Sequence, residues 1–243
     1  MKKVAVFVEG NTELIFVREL LLRMHDYQNV WLEHCLLRNN NIKKLSHIHG
    51  MEDDPNYYLI IDVGGDNSVL SAITHREKGF FENGYNKIIG LRDMFSEEYR
   101  CKNNHLKTVN WDVITDLKKE SQERIDNLGN NSDKIHFFFA IMETEAWLLG
   151  IKDIFLSIDS RLTNEFIKNS PLGYDLDKDD PQQTYYHPAK VIGEIFGLAG
   201  KEYDKKESTL SSLIATIEKE KYEALRSSAH CSVFSEFTEA LLN

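Results

Sequence analysis

The run Val4-Ala5-Val6-Phe7-Val8 is apolar at every position and is closed at once by Glu9-Gly10. Such a short run without alternation reads as a strand buried on both faces, the situation of a parallel sheet covered by helices. From Asn11 the period changes. Leu14, Val17, Leu21 and Leu22 share one helical stripe, Asn11 or Thr12 can cap the first turn, and Glu13 suits the positive end of the helix dipole. The chain therefore opens as strand, tight turn and helix. Glu9 stands at the strand's C-terminal end, where open α/β sheets hold their ligands, with Glu13 close beside it.

The same unit recurs. Asn56 to Val63 is a β-rich run stopped by Gly64-Gly65, after which Asp66, Asn67 or Ser68 can cap a helix carrying Val69, Leu70 and Ile73. Tyr85 to Asp93 is an apolar strand ending in an aspartate, and Ser96 with Glu97 and Glu98 reads as a capped helix start. Lys134 to Met142 is a strongly apolar strand running into Glu143-Thr144-Glu145 and an apolar helix start at Ala146-Trp147-Leu148-Leu149. Strands alternating with helices imply a mostly parallel sheet of about four strands, joined by right-handed crossovers. Glu9 and Asp93 are then expected on one edge. Two carboxylates at a buried strand's mouth repel each other unless a cation, a proton or a basic residue compensates, so Glu143 and Glu145 are candidate metal ligands.

The remaining segments carry less chemistry. Val30 to Leu37 reads as a short strand and Asn39 to Pro55 as a polar loop, in which the spacing of His47 and His49 suits a metal but no further ligand completes a set. Residues 100 to 134 contain an amphipathic helix around Trp111, Val113, Ile114 and Leu117 that ends near Gly129. Residues 1–150 are expected to form the α/β core and residues 151–243 a mostly helical region packed on it. In that region Asp153 to Phe166, Ala189 to Phe196, Leu210 to Ile217 and Ser232 to Leu242 read as helices, and Asp175 to Pro181 as a loop.

Composition narrows the function. No apolar run approaches the roughly 20 residues that span a bilayer, so no membrane is involved and a cytoplasmic location is expected. Cys35, Cys101 and Cys231 lie far apart, which suggests free thiols rather than a zinc site or a disulfide framework. A net charge of -10 argues against a protein that coats nucleic acid through many Lys or Arg contacts. It leaves room for an acidic metal site, where cations screen carboxylates from phosphate.

The ordered set Val8-Glu9-Gly10-Asn11-Thr12-Glu13, a strand ending Gly64-Gly65, Leu91-Arg92-Asp93, and Met142-Glu143-Thr144-Glu145-Ala146-Trp147 resembles the Toprim domains, and in particular small bacterial Toprim-like proteins related to the overcoming-lysogenisation-defect nucleases. The tail, with His187-Pro188-Ala189-Lys190, Tyr203-Asp204-Lys205-Lys206 and a final helix from Phe234 to Leu242, is similar to that family's C-terminal region. The resemblance implies a Toprim-like, Rossmann-like core. It implies a nuclease that hydrolyses phosphodiester bonds in DNA or RNA with Mg²⁺ or Mn²⁺, acting in phage defence beside an ABC-type ATPase. No nucleotide-binding loop in this chain supplies that ATPase. Glu9, Asp93 and Glu145 are the implied catalytic centre, with Glu13 beside them, Glu143 an outer or second-metal ligand, and Lys205 or Lys206 an electrostatic partner for phosphate. Asp93-Met94-Phe95 offers only the first aspartate of the family's Asp-x-Asp, for which Glu97, Glu143 or Glu145 is the candidate replacement. That departure sustains a second expectation, a catalytically silent regulatory subunit that keeps the fold and binds a protein partner. A nucleotidyl transferase is disfavoured by the lack of a nucleotide-binding segment.

Overall fold

The computed structural model describes the backbone of residues 1–39, 41–65, 68–204 and 207–243, and their side chains except at 44–48 and 207. Strand β1 (Lys2–Val8) leads into helix α1 (Asn11–Met24), followed by β2 (Val30–Arg38), β3 (Asn41–His49) and β4 (Asn56–Asp62). Helices α2 (Val69–Thr74) and α3 (Glu77–Glu82) precede β5 (Lys87–Asp93), and α4 (Glu97–Lys102) and α5 (Trp111–Asp126) precede β6 (Ile135–Ala140). The chain then stays helical: α6 (Glu145–Gly150), α7 (Asn164–Asn169), α8 (Pro181–Thr184), α9 (Pro188–Leu198), α10 (Glu207–Ile214), α11 (Lys219–Arg226) and α12 (Ser232–Leu242).

The strands form one six-stranded sheet in the order β3-β2-β4-β1-β5-β6. All neighbours are parallel except β2 and β3. The expectation of about four strands is thus corrected to six. Asn41–His49, expected as a polar loop, is the antiparallel edge strand. Its sequence offers no unbroken apolar run to read as a strand, and Lys43 suits an edge because lysine discourages further pairing. His49 Nε2 lies 2.8 Å from the Tyr27 carbonyl, so its ring ties the strand to the α1–β2 turn.

Alternation along β1 splits the core. Val4, Val6 and Val8 join one hydrophobic cluster with α1, α6 and the C-terminal helices, whereas Ala5 and Phe7 join a second with α2 and α3. Helix α5 contributes to both, with Val113, Ile114 and Leu117 in the first and Ile125 in the second. On the second face Gly90 is there for space. A Cβ at this position would stand 2.4 Å from the Phe137 ring and 2.7 Å from Ile73 Cδ1.

The helical region is held to the sheet by aromatic packing. Trp147 of α6 stacks on Phe237 of α12 at 5.4 Å between ring centres and touches Phe16 and Phe234 at 5.5 and 5.4 Å. The end of α12 is tied to the bottom of the sheet, where Lys2 Nζ donates to the Leu242 carbonyl (2.8 Å) and Lys87 Nζ to the Ala240 carbonyl (2.6 Å). Lysines at the last carbonyls of a helix also meet the negative end of its dipole. The single helix expected over Asp153 to Phe166 is instead a 3₁₀ turn at Ile154–Ser157 and the short α7. Asp159 engages both the amide and the guanidinium of Arg161, and Thr163 begins a fresh helix by accepting the Phe166 amide at 3.0 Å. Among the described residues no helix is long and apolar enough to cross a membrane.

Candidate functional site

Sheet order places a crevice where the opening sequence motif ends. From β1 the chain departs toward β2 on one side, while from the adjacent β5 it departs toward β6 on the other. Divergent connections open the sheet's C-terminal edge between those two strands, the usual ligand position in such folds. Glu9 follows β1 and Asp93 ends β5, so both lie at this opening. They are joined directly, with the Asp93 amide donating to Glu9 Oε2 at 3.0 Å. Both carboxylates are half-buried.

Helix α1 starts at Asn11 with Gly10 as its cap residue, which corrects the expected capping by Asn11 or Thr12. The capping group is Glu13, whose Oε2 accepts the Gly10 amide at 3.1 Å. Glu13 is buried, and its other oxygen meets Thr144 Oγ1 at 3.1 Å. Thr144 is fully buried and also faces Asp93 Oδ1, at 2.9 Å from its hydroxyl and 2.8 Å from its amide. One hydroxyl proton cannot serve two carboxylates at once. A protonated Glu13 resolves this by donating to Thr144 Oγ1, which leaves the hydroxyl proton for Asp93. Burial, then the charges of Glu9 and Glu145, push the Glu13 carboxyl up to about 7. Burial and these charges thus favour the neutral form of Glu13.

The Glu143-Thr144-Glu145 segment is set by backbone as well as by charge. Met142, just before it, is in the left-handed region at φ 63°, an uncommon conformation for a bulky residue, and its carbonyl accepts the Phe95 amide at 2.8 Å. Both glutamates make contacts to the helical region. Glu143 Oε2 accepts the amide of Ala189, in the first turn of α9, at 2.9 Å. Glu145 is fully buried and accepts the Tyr203 hydroxyl at 3.1 Å. Burial and this acidic neighbourhood raise the Tyr203 pKa far above its ordinary value, so the phenol stays a donor. The expected compensation for the acid pair is thus supplied in part by protein groups, a helix N-terminus and a tyrosine. Glu97, the other candidate for the missing aspartate, is exposed on α4 and pairs with Arg100.

On the opposite side of Glu9 lies the Gly64-Gly65 turn. Gly65 donates to the Glu9 carbonyl at 3.0 Å, and Gly64, at φ 72°, donates to Asp62 Oδ1 at 2.7 Å. The turn lets the end of β4 run against the back of Glu9. Arg38, at the end of β2, lies over Gly64. These groups, with Gly10, Asn11, Glu13 and Asp93, line an open cavity of about 470 Å³. Asp66, Asn67, Lys205 and Lys206, expected as caps or as phosphate partners, lie outside the described residues.

Glu9, Glu13 and Asp93 thus converge in one hydrogen-bonded group, and Glu145 is near enough to act on Glu13 by its charge. Thr144, Tyr203 and Arg38 are the neighbours of these acids that sequence reasoning did not single out. Thr144 lies between two acids and carries no signal of its own, while Tyr203 and Arg38 reach the site only through tertiary packing. As to a metal, the donors at the crevice are carboxylate oxygens, the chemistry that hard divalent cations select. Among the described residues no three acidic, histidine or cysteine side chains already stand as a ligand cage. Glu9 and Asp93 line the same cavity, and carboxylates in that number are what Mg²⁺ commonly takes from a protein, its other positions going to water or substrate. No protein-family model, curated protein or solved structure matches this chain.

Proposed function

We propose that this chain is a metal-dependent nuclease with a Toprim-like core, hydrolysing phosphodiester bonds in DNA or RNA. The observation that carries the reading is the meeting of Glu9 and Asp93 at the opening between β1 and β5, joined through the Asp93 amide. Glu9 and Asp93 would hold Mg²⁺ or Mn²⁺. Such an ion polarises a phosphodiester and lowers the pKa of attacking water. Thr144 orients Asp93 through two donors. Glu13, titrating near pH 7 and lining the cavity, is suited to proton transfer at that pH. Glu143 and Glu145 stand behind this pair and fix the helical region to it. An ABC-type ATPase partner and a part in phage defence complete the proposal and rest on the sequence resemblance alone.

A catalytically silent, partner-binding subunit is the second reading. It is favoured by the engagement of Glu143 and Glu145 with Ala189 and Tyr203 and by the single aspartate at β5. The two readings separate on incubation of plasmid DNA, single-stranded DNA and tRNA with Mg²⁺ or Mn²⁺, with and without the product of the neighbouring gene. Cutting that falls in both Glu9→Ala and Asp93→Ala by more than the roughly 10–100-fold typical of an outer-shell partner supports the nuclease. Folded protein that cuts none of these polymers in either condition moves the assignment to the silent subunit.

A further inference from the structure

Carboxylates and a cation account for one side of the crevice, but a phosphodiester approaching it needs a positive group on the other. Across the sheet's C-terminal edge the strands β2, β4, β1 and β5 are consecutive, so Arg38, Asp62, Glu9 and Asp93 stand in a row. Register supports this placement: Leu36 of β2 and Val8 of β1 both pair with Asp62, which puts Arg38 two residues further out. Arg38 is exposed, and it is the cationic side chain among the described residues lining the cavity that holds Glu9, Glu13 and Asp93. Its hydrogen bond is a 3.1 Å contact to the carbonyl of its neighbour Leu37. No carboxylate of the described residues forms an ion pair with it. Among the described residues, a guanidinium that lines this cavity together with four carboxylates is bound to none of them.

Its position depends on the glycine beneath it. A Cβ on Gly64 would fall 2.2 Å from Arg38 Nη1 and 3.0 Å from its Cζ, so the guanidinium occupies the space a side chain would take. At φ 72° that backbone also disfavours any other residue. Gly64 thus serves as turn and as floor. Arginine suits the task, since its planar fork meets two oxygens of a phosphate at once and stays charged at every relevant pH.

We propose that Arg38, seated on Gly64, binds the phosphate of a polynucleotide and holds it toward Glu9 and Asp93. This inference rests on the nuclease reading and names the contact through which that site would take its substrate. A labelled single-stranded oligonucleotide, titrated with Ca²⁺ in place of Mg²⁺, reads binding by fluorescence anisotropy, and Mn²⁺ affinity is read separately by electron paramagnetic resonance. For Arg38→Ala the expected result is a Kd raised about tenfold or more, the usual scale for losing a charged hydrogen bond. Its dependence of log K on log salt should be shallower by about 0.7, the value of one phosphate contact on a single strand. Mn²⁺ affinity should not change, Arg38→Lys should fall between, and Gly64→Ala should weaken binding in the same direction by displacing the guanidinium. An unchanged Kd and salt slope in Arg38→Ala overturns the seat, and if wild type and variant both cut, the nuclease reading survives that loss. A wild type that holds no oligonucleotide also overturns the seat, while its Mn²⁺ binding and cleavage decide the nuclease reading on their own.

Discussion

Glu13 ties pH to both stability and chemistry. Its pKa is about 7 in the folded state against an ordinary 4.5, because burial and the nearby charges of Glu9 and Glu145 disfavour the anion. The folded protein therefore holds this proton more tightly than the unfolded chain. Below about pH 4.5 both states are protonated and nothing is lost. As pH rises toward 7 the unfolded state releases its proton first, and stability falls. Urea unfolding in a chelator should show this loss between pH 5 and pH 8 in wild type and much less of it in Glu13→Gln. Added Mg²⁺ should stabilise wild type more at pH 8 than at pH 5.5, since a bound cation offsets the repulsion between Glu9 and the Glu13 anion that forms as pH rises. Thr144→Val keeps the shape of the side chain but removes the hydroxyl shared by Glu13 and Asp93, and should cost about 1–3 kcal/mol in the same assay.

At the scale of elements, the strands are set by burial and the helices largely by what they pack on. Strand β5 can lie flat against β6 only because Gly90 leaves room for Phe137 and Ile73. Gly90→Ala should destabilise by about 1–3 kcal/mol, the usual cost of overfilling a packed core, seen as a lower urea midpoint with an unchanged slope. The helix over 111–126 follows the expected amphipathic pattern and has a clear start signal, with Asn110 accepting the amides of Asp112 and Val113. Helix α11 was not foreseen. It buries only Tyr222 and Leu225, and two contacts leave no stripe to read.

Across the whole molecule, the helical region completes the core. Trp147, Phe16, Leu20 and Leu21 are fully buried, and their cover includes Tyr222, Phe234 and Phe237 from the far end of the chain. A chain cut after Gly150 should therefore be largely insoluble or bind a hydrophobic dye strongly, whereas the full chain should do neither. Tyr203→Phe offers a gentler probe of the same junction. It removes the hydroxyl that meets the buried Glu145 and should lower stability by about 1–3 kcal/mol, leaving the secondary structure seen by circular dichroism unchanged.

The strand-turn-helix opening, the parallel alternation and the acidic ends of β1 and β5 at Glu9 and Asp93 were legible in the sequence, because burial on both faces and the switch from strand to helix period are local properties of the chain, whereas β6 stops at Ala140 rather than running to Met142. Which strand lies beside which was not. The order that makes β1 and β5 neighbours, and so brings Glu9 to the Asp93 amide, is a matter of crossovers that span 84 residues. Edge strand β3 has no unbroken apolar run in its sequence to announce it. The partners of Glu143, Glu145 and Gly64 come from Ala189, Tyr203 and Arg38, which are remote in sequence and adjacent only once the sheet and the helical region have packed. Residue type and period determined where carboxylates could gather. Tertiary packing decided which of them face the crevice and which are held by protein donors, since a buried charge takes whatever partner the fold brings within reach.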